Sequence, residues 1–308
     1  MKITVIGAGN VGASLAQRLV EKDFADVVML DIIEGLPQGK ALDILESSAV
    51  IGFKHSITGT NSYEQTSGSD IVVVTSGIAR KPGMTREELI KINAGIVADV
   101  VSNLIRFSPG CVIIIVANPV DAMTYLALKV SGFPRERVVG LSGVLDSARL
   151  ATFIASELNV CPSDVECHVL GEHGPNMVIL PRLVTVNRIP VTKLLPEEVI
   201  RRLSQRTVDG GAEIVGLLKT SSAFYAPSAS IAKMVYAIAE NSDDIMPAAA
   251  LLLGEYGLSD VVIGVPVVLG TGGIRQIIEF ELETTEKKHL SRSASAVMQQ
   301  IASLPERC

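Results

Sequence analysis

Residues 2 to 12 read KITVIGAGNVG, a β-branched apolar run that breaks into glycines at positions 7, 9 and 12. The spacing G-x-G-x-x-G, directly after a predicted strand and at the start of a predicted helix, has a physical content. Gly7 permits a tight turn, Gly9 lets a backbone approach a pyrophosphate, and Gly12 allows close helix packing, with the diphosphate at the helix N-terminus. A glycine-rich turn that merely joins strand to helix is the plainer reading. The next apolar run, VVML at 27 to 30, ends at Asp31, where an acid able to bind the adenosine ribose hydroxyls is expected. A carboxylate there would repel a 2′-phosphate, so the pattern favours NAD over NADP. The candidate cofactor loop is therefore Gly7, Ala8, Gly9, Asn10, Val11 and Gly12, with Asp31 as its ribose partner.

Outward from that stretch, short apolar runs alternate with amphipathic segments: ITVIG, then 11 to 22; VVML, then 36 to 48; IVVVT, then 86 to 107; VIIIVA, then 120 to 131; and RVVG. Apolar runs without alternation mark strands buried on both faces, and the segments between them mark crossover helices. The expected fold class is α/β, a Rossmann doubly wound parallel sheet over residues 1–141. Beyond it the rhythm changes. Helices are expected over 143 to 158, 196 to 218 and 222 to 239, strands near 165 to 170, 183 to 187, 261 to 269 and 274 to 281, and a last helix from Thr284 or Thr285. This predicts an α+β substrate or catalytic domain over 142–308.

The chain has 308 residues, 48% of them hydrophobic, which is enough for a generous core. A formal charge of −6 gives no basic footprint for nucleic acid. The first residues run straight into ITVI without a secretion signal, and no apolar stretch approaches the ~20 residues of a spanning helix, so a soluble cytoplasmic protein without a membrane partner is expected. Cys111, Cys161, Cys167 and Cys308 fall at no metal-type spacing and read as free thiols, with no metal site expected.

Several polar residues stand out against the apolar background. Asn118 directly follows VIIIVA, at the ligand-facing end of a parallel strand, with Ala117 before it; Asn93 belongs to a later crossover. Asp146 and Arg149, three apart in VLDSAR, share one helix face, where a surface ion pair is the plain alternative. His173 lies in GEHG between flexible positions that would expose its imidazole, although a loop histidine is commonly just solvated. The loop TSGIARKPGMTREE carries Arg80 and Arg86 after a buried strand and could be plain surface or a cationic cover for an anion.

Taken together, GAGNVG, LDIIEGLPQGKALD, VVTSGIARKPGMTREELIKIN, ANPVDAMTY, SGFPRERVVG, VLDSARL, GEHG and YGLSDVVIGVPVVLG, in that order, resemble the lactate/malate dehydrogenase family over nearly the whole chain. The resemblance is closest to its lactate-dehydrogenase-like, malate-oxidising branch. It implies that His173 is the proton donor and acceptor and Asp146 the carboxylate that orients it. It further implies that Arg149 holds the substrate carboxylate, that Arg86 polarises the reacting carbonyl, and that Arg80 binds a second substrate carboxylate. Asn118 would contact both substrate and cofactor, and Asn93 the cofactor. Ser221 and Ser222 would lie near the substrate, although a polar start to the helix is an equal account of them. The expected reaction is reversible NAD-dependent oxidation of (S)-malate to oxaloacetate in a homodimer or homotetramer, with lactate or another 2-hydroxy acid as the alternative substrate. The chain departs from the family at Pro175-Asn176, where an acidic residue often follows His-Gly. An NAD- and metal-dependent glycosidase would need ligands that the histidines and cysteines do not assemble, and an NAD-sensing protein would not need the Asp, His and Arg set.

The elementary chemistry agrees with these roles. Alcohol oxidation requires a hydride acceptor and a base for the hydroxyl proton, and an imidazole titrates in the right range. A guanidinium fork suits a carboxylate, and a cation over the carbonyl stabilises charge developing on oxygen.

Arg80→Gln is the sharpest test of substrate class. Leaving one partner of a desolvated, hydrogen-bonded charge pair unmatched costs ~2 to 5 kcal/mol, so kcat/KM for oxaloacetate is expected to fall roughly 30- to 4,000-fold. Pyruvate lacks the second carboxylate, and its kcat/KM should hold or rise. Equal depression of both substrates in steady-state assays would remove Arg80 from substrate choice.

Overall fold

The computed structural model describes residues 1–78 and 83–305; Arg80, Lys81, Pro82 and Cys308 lie outside the described residues. The first half contains β1 (Lys2–Ile6), α1 (Asn10–Glu21), β2 (Asp26–Leu30), α2 (Leu36–Glu46), α3 (Ser48–Ile51), β3 (Ile57–Thr60), β4 (Ile71–Val74), α4 (Arg86–Phe107), β5 (Val112–Ile115), α5 (Val120–Ser131) and β6 (Val138–Gly140). The second contains α6 (Gly143–Leu158), β7 (Val165–Glu166), β8 (Val169–Gly171), β9 (Met177–Ile179), β10 (Thr185–Val186), β11 (Ile189–Pro190), α7 (Glu197–Leu218), α8 (Tyr225–Glu240), β12 (Ile245–Leu253), β13 (Ser259–Gly270), β14 (Gly273–Ile277) and α9 (Thr284–Ala302).

Strands β3, β2, β1, β4, β5 and β6 lie side by side in that order, all parallel, which is the doubly wound arrangement. The same sheet continues without a break through β12, β13, β8 and β9, now antiparallel, with β14 paired to β13. A separate small sheet holds β11, β10 and β7. The unalternating strands bury both faces: Val73, Val112 and Ile114 join one core cluster, whereas Val72, Val74, Ile113 and Ile115 join the other. Each such side chain contributes about 1.5 to 3 kcal/mol relative to exposure.

Several elements depart from the sequence reading. The segment expected to be helical over 36 to 48 divides at Ser47 into α2 and α3. β3 was not expected, because ITGT is short, half polar and carries a glycine, yet it closes the sheet edge beside β2. β12 was not expected either: IMPAAALLL contains a proline and an alanine run, but each of its residues is paired against β13. Arg86 is the first residue of α4, which spans the 86 to 107 expected for this crossover helix. Thr85 caps that helix, its hydroxyl accepting the Glu88 N–H at 3.1 Å while the Glu88 carboxylate accepts the Thr85 N–H at 2.7 Å. Among the described residues no helix is long and apolar enough to cross a membrane.

Two close approaches fix the frame of the site. A Cβ on Gly12 would lie 1.8 Å from the Gly7 carbonyl oxygen, so the first turn of α1 and the loop leaving β1 touch only because Gly12 is bare. Gly7 itself has φ +105°, in the region that favours glycine. At the other end, a Cβ on Gly143 would lie 2.1 Å from the Val169 carbonyl oxygen, so α6 begins in backbone contact with β8.

Candidate active site

The carboxyl ends of β4, β5 and β6 open on a common cavity of about 690 Å³, walled by Thr75 and Gly77 after β4, Ala117 and Asn118 after β5, and Leu141 after β6. That crevice is where an open parallel sheet binds ligands. Gly9, Asn10, Val11 and Gly12 line it from the start of α1, and Arg149 and His173 from the second half of the chain. A larger cavity of about 1280 Å³ elsewhere shares none of these residues. The chemistry concentrates in the smaller one.

The glycine loop suits an extended diphosphate. Gly9 precedes α1 without a side-chain cap, so the first-turn N–H groups have no side-chain acceptor there, and a Cβ at Gly9 would meet no atom within 4 Å. Gly7 and Ala8 shape the turn behind it. Asp31 is held at the end of β2, its Oδ2 accepting the Ala8 N–H at 2.7 Å and its Oδ1 accepting the Ile33 N–H at 3.0 Å. Lys40 on α2 donates to the Ala8 carbonyl at 2.7 Å, a brace that the sequence reading did not single out.

Of the three catalytic candidates, His173 and Asp146 come together, joined by the carboxylate-binding candidate Arg149, whereas Arg86 does not line the cavity. Asp146, in the first turn of α6 and 1% exposed, places Oδ2 2.7 Å from His173 Nδ1, and Arg149 Nη1 donates to Asp146 Oδ1 at 3.2 Å. The pair at 146 and 149 is therefore not a surface ion pair. With Nδ1–H donating to Asp146, the imidazole keeps Nε2 as its free nitrogen. Burial disfavours a charged imidazolium, but the charge and hydrogen bond of Asp146, helped by Asp121, outweigh it and hold the His173 pKa above its ordinary value against the pull of Arg149. Arg149 Nε is buried without a hydrogen-bond partner among the described residues, so this guanidinium has a donor to offer.

Room for Arg149 comes from α7, where Gly210 and Gly211 sit in mid-helix. A Cβ at Gly210 would stand 3.2 Å from Arg149 Cδ. Adjacent glycines inside a helix lower its stability by about 1 kcal/mol each relative to alanine, and that pair was the sequence signal for a close neighbour. Ser221 and Ser222 line the cavity, three or more residues ahead of α8, and so do not start that helix.

Other candidates take different positions. Asn93 is 1% exposed on α4 and bridges two loops: its Nδ2 donates to the carbonyls of Asn118 at 2.6 Å and Ile78 at 3.1 Å, and its Oδ1 accepts the Ile78 N–H at 2.8 Å. Its polar atoms are engaged by backbone, and it holds the cavity wall from behind. Arg86 forms an ion pair at 3.5 Å with Glu172, whose own carboxylate also accepts from Gln300 of α9 and from Asn176, each at 2.6 Å. Asn176, part of the departure after His173-Gly174, thus ties the histidine loop through Glu172.

Asp121 was missed. It lies in the first turn of α5, 1% exposed, and its Oδ2 accepts the His173 backbone N–H at 2.9 Å. The available sign was an acid embedded in the apolar start of a helix, in ANPVDAMTY.

The chain matches two family models: lactate/malate dehydrogenase, NAD binding domain, over residues 1–140, and lactate/malate dehydrogenase, alpha/beta C-terminal domain, over 143–306. It is 62% identical to a malate dehydrogenase of Dehalococcoides mccartyi, covering 98% of this chain and 99% of that protein, and 50% identical to one of Methanosarcina mazei over 99% of both. Among solved structures it is similar to malate dehydrogenase from Salinibacter ruber, with TM-score 0.95, 47% identity and coverage of 98% and 97% of the two chains. It is also similar to the lactate dehydrogenase from Cryptosporidium parvum complexed with lactic acid and nicotinamide adenine dinucleotide, with TM-score 0.96, 36% identity and coverage of 100% and 98%.

Asp31→Ser removes the carboxylate at the end of β2. NADPH is expected to gain on NADH, seen as a fall in the NADH/NADPH ratio of kcat/KM. An unchanged ratio places Asp31 away from the ribose.

Proposed function

The chain belongs to the lactate/malate dehydrogenase family, and from that premise we propose that it is an NAD-dependent malate dehydrogenase, oxidising (S)-malate reversibly to oxaloacetate. The observation that carries the mechanism is the Asp146–His173–Arg149 set, assembled at 2.7 and 3.2 Å on the wall that the glycine loop shares.

Bound NAD supplies the hydride acceptor for the alcohol carbon. His173 accepts the hydroxyl proton at Nε2, and Asp146 stabilises the resulting imidazolium through Nδ1–H. In the reverse direction the protonated ring returns that proton to the new alkoxide. Arg149 pairs with the carboxylate beside the reacting carbon, using a planar fork that fixes orientation. Arg86 exchanges Glu172 for the carbonyl oxygen and stabilises the charge that develops there. Arg80 takes the second carboxylate. That role is supported by its place in IARKPGMTR, and by Arg149 being the one Lys or Arg among the described residues that line the cavity. Gly7 to Gly12 and Asp31 seat the dinucleotide, and Asn118 with Ala117 borders both ligands.

A cytoplasmic homodimer or homotetramer completes the reading. Cys111, Cys161 and Cys167 are free, as a reducing compartment favours. Large apolar side chains stand exposed on α2, α3 and the preceding loop, among them Ile32 at 91% and Val50 at 89%. Sedimentation is expected to give a mass at least twice 32.6 kDa, and a monomer at micromolar concentration contradicts this part.

Oxaloacetate, pyruvate and a longer 2-keto acid assayed side by side with NADH test the substrate, with oxaloacetate expected to dominate. His173→Asn should bind NADH and lose ~10² to 10⁴ in kcat, the usual worth of general acid–base catalysis. Retention of more than about a tenth of wild-type kcat is incompatible with the assigned role.

A further inference from the structure

Asp121 is a buried acid that the reaction as described leaves without a task. One oxygen is engaged by the His173 N–H at 2.9 Å, and the other, Oδ1, is buried with no hydrogen-bond partner among the described residues. Buried unpaired polar atoms are uncommon, and a carboxylate is an expensive one to leave so. Its position answers the question. It stands in the first turn of α5, and the residue it holds by the backbone is the one whose ring is held by Asp146 of α6.

We infer that Asp121 is a positioning residue for the proton transfer: its carboxylate fixes the backbone of His173 and provides, beside Asp146, a second countercharge for the imidazolium. The inference rests on the reading of His173 as the acid–base group. The charged groups that bear on the pair are Asp146 and Arg149 from α6, and Glu172 from the loop after β8, which is itself tied to Gln300 of α9. The Asp121 carboxyl is pushed up to about 7, chiefly by burial, with the His173 N–H and a charged imidazole pulling it down and Glu172 and Asp146 adding to the rise. A carboxyl poised there ionises most readily when the ring beside it is protonated, so the two groups titrate as a coupled pair. Asp146 fixes the tautomer, and Asp121 makes the protonated state easier to reach without touching the reacting atoms.

Asp121→Asn separates the two contributions, because an amide oxygen can still accept the His173 N–H while the charge is gone. Losing a negative neighbour disfavours the imidazolium, so the ring gives up its proton at lower pH. The acid limb of kcat/KM for malate with NAD should move down by about one pH unit, the lower end of the effect of a nearby charge. The alkaline limb for oxaloacetate with NADH should move in the same direction. A uniform loss of kcat/KM with both limbs in place overturns the inference and leaves Asp121 a backbone support only. If the variant does not fold, the wild-type enzyme is titrated with its histidine Cε1 carbons labelled; His173 is one of four histidines and is assigned by difference from His173→Asn. Coupling predicts a transition broader than a single proton, or in two steps. A single-site curve overturns it. His173→Asn assayed in parallel keeps the two hypotheses apart: if it retains turnover, the acid–base assignment fails, whereas loss of turnover with unshifted limbs in Asp121→Asn sinks only the present inference.

Discussion

The Asp146 carboxylate is divided between two partners, one oxygen 2.7 Å from His173 Nδ1 and the other receiving Arg149 at 3.2 Å. A carboxylate so buried costs several kcal/mol in desolvation, and only complete pairing offsets it. Geometry follows from that requirement. The imidazole must present Nδ1–H to α6, which leaves Nε2 free, and Arg149 must lie along the same helix face with a donor still unspent. The positions of His173 and Arg149 are therefore set by one buried charge. Replacement of any member would leave the others unmatched.

That charge can be placed only because the parallel and antiparallel halves of the chain form one sheet. β6 pairs with β12 at a single register point, β12 runs along β13, and β13 meets β8 where Gly264 faces Gly171. Glycine dominates this seam for steric reasons: a Cβ on Gly264 would lie 2.7 Å from the Gly171 carbonyl oxygen, and one on Gly143 would press on Val169. As a result, α6 leaves β6 directly against β8, and Asp146 in its first turn faces His173, two residues beyond that strand. The glycine loop after β1, Arg149 of α6 and His173 after β8 then face one cavity at the carboxyl edge of the sheet. Reacting groups borne on rigid elements hold their geometry better than groups carried on loops alone.

Much of this was legible, and the exceptions have causes. Helices α5 and α6 run over the residues that periodicity assigned them, because their apolar stripes are strong and their ends carry Gly132 and Asn159 at left-handed positions. β3 and β12 were not, since pairing with a neighbour, rather than local propensity, makes them strands. In the site, the GxGxxG loop with Asp31 and the Asp146/Arg149 spacing are local patterns. Asp121 acts on a residue 52 positions away, and Glu172 meets Gln300 across 128, distances over which spacing carries no information. The Asn93 amide makes three backbone hydrogen bonds to Ile78 and Asn118, partners that its spacing in the sequence did not indicate.

The scaffold does not itself choose the substrate. A malate dehydrogenase and a lactate dehydrogenase superpose on this chain about equally well, with TM-scores of 0.95 and 0.96. What the two substrate classes share is a carboxylate beside a hydroxyl or carbonyl carbon, and the proposed Arg149 and His173 roles are addressed to that shared part. The rest of the described cavity lining includes apolar and weakly polar groups: Val208, Val215, Ser221, Ser222 and Phe224. A second carboxylate placed against such groups would be desolvated without compensation, whereas a methyl group would not. In the proposed assignment, selectivity for a dicarboxylate resides in a second cation, Arg80 of the IARKPGMTR segment. Such a division of labour lets one buried charge network serve many 2-hydroxy acids while a few loop residues select among them.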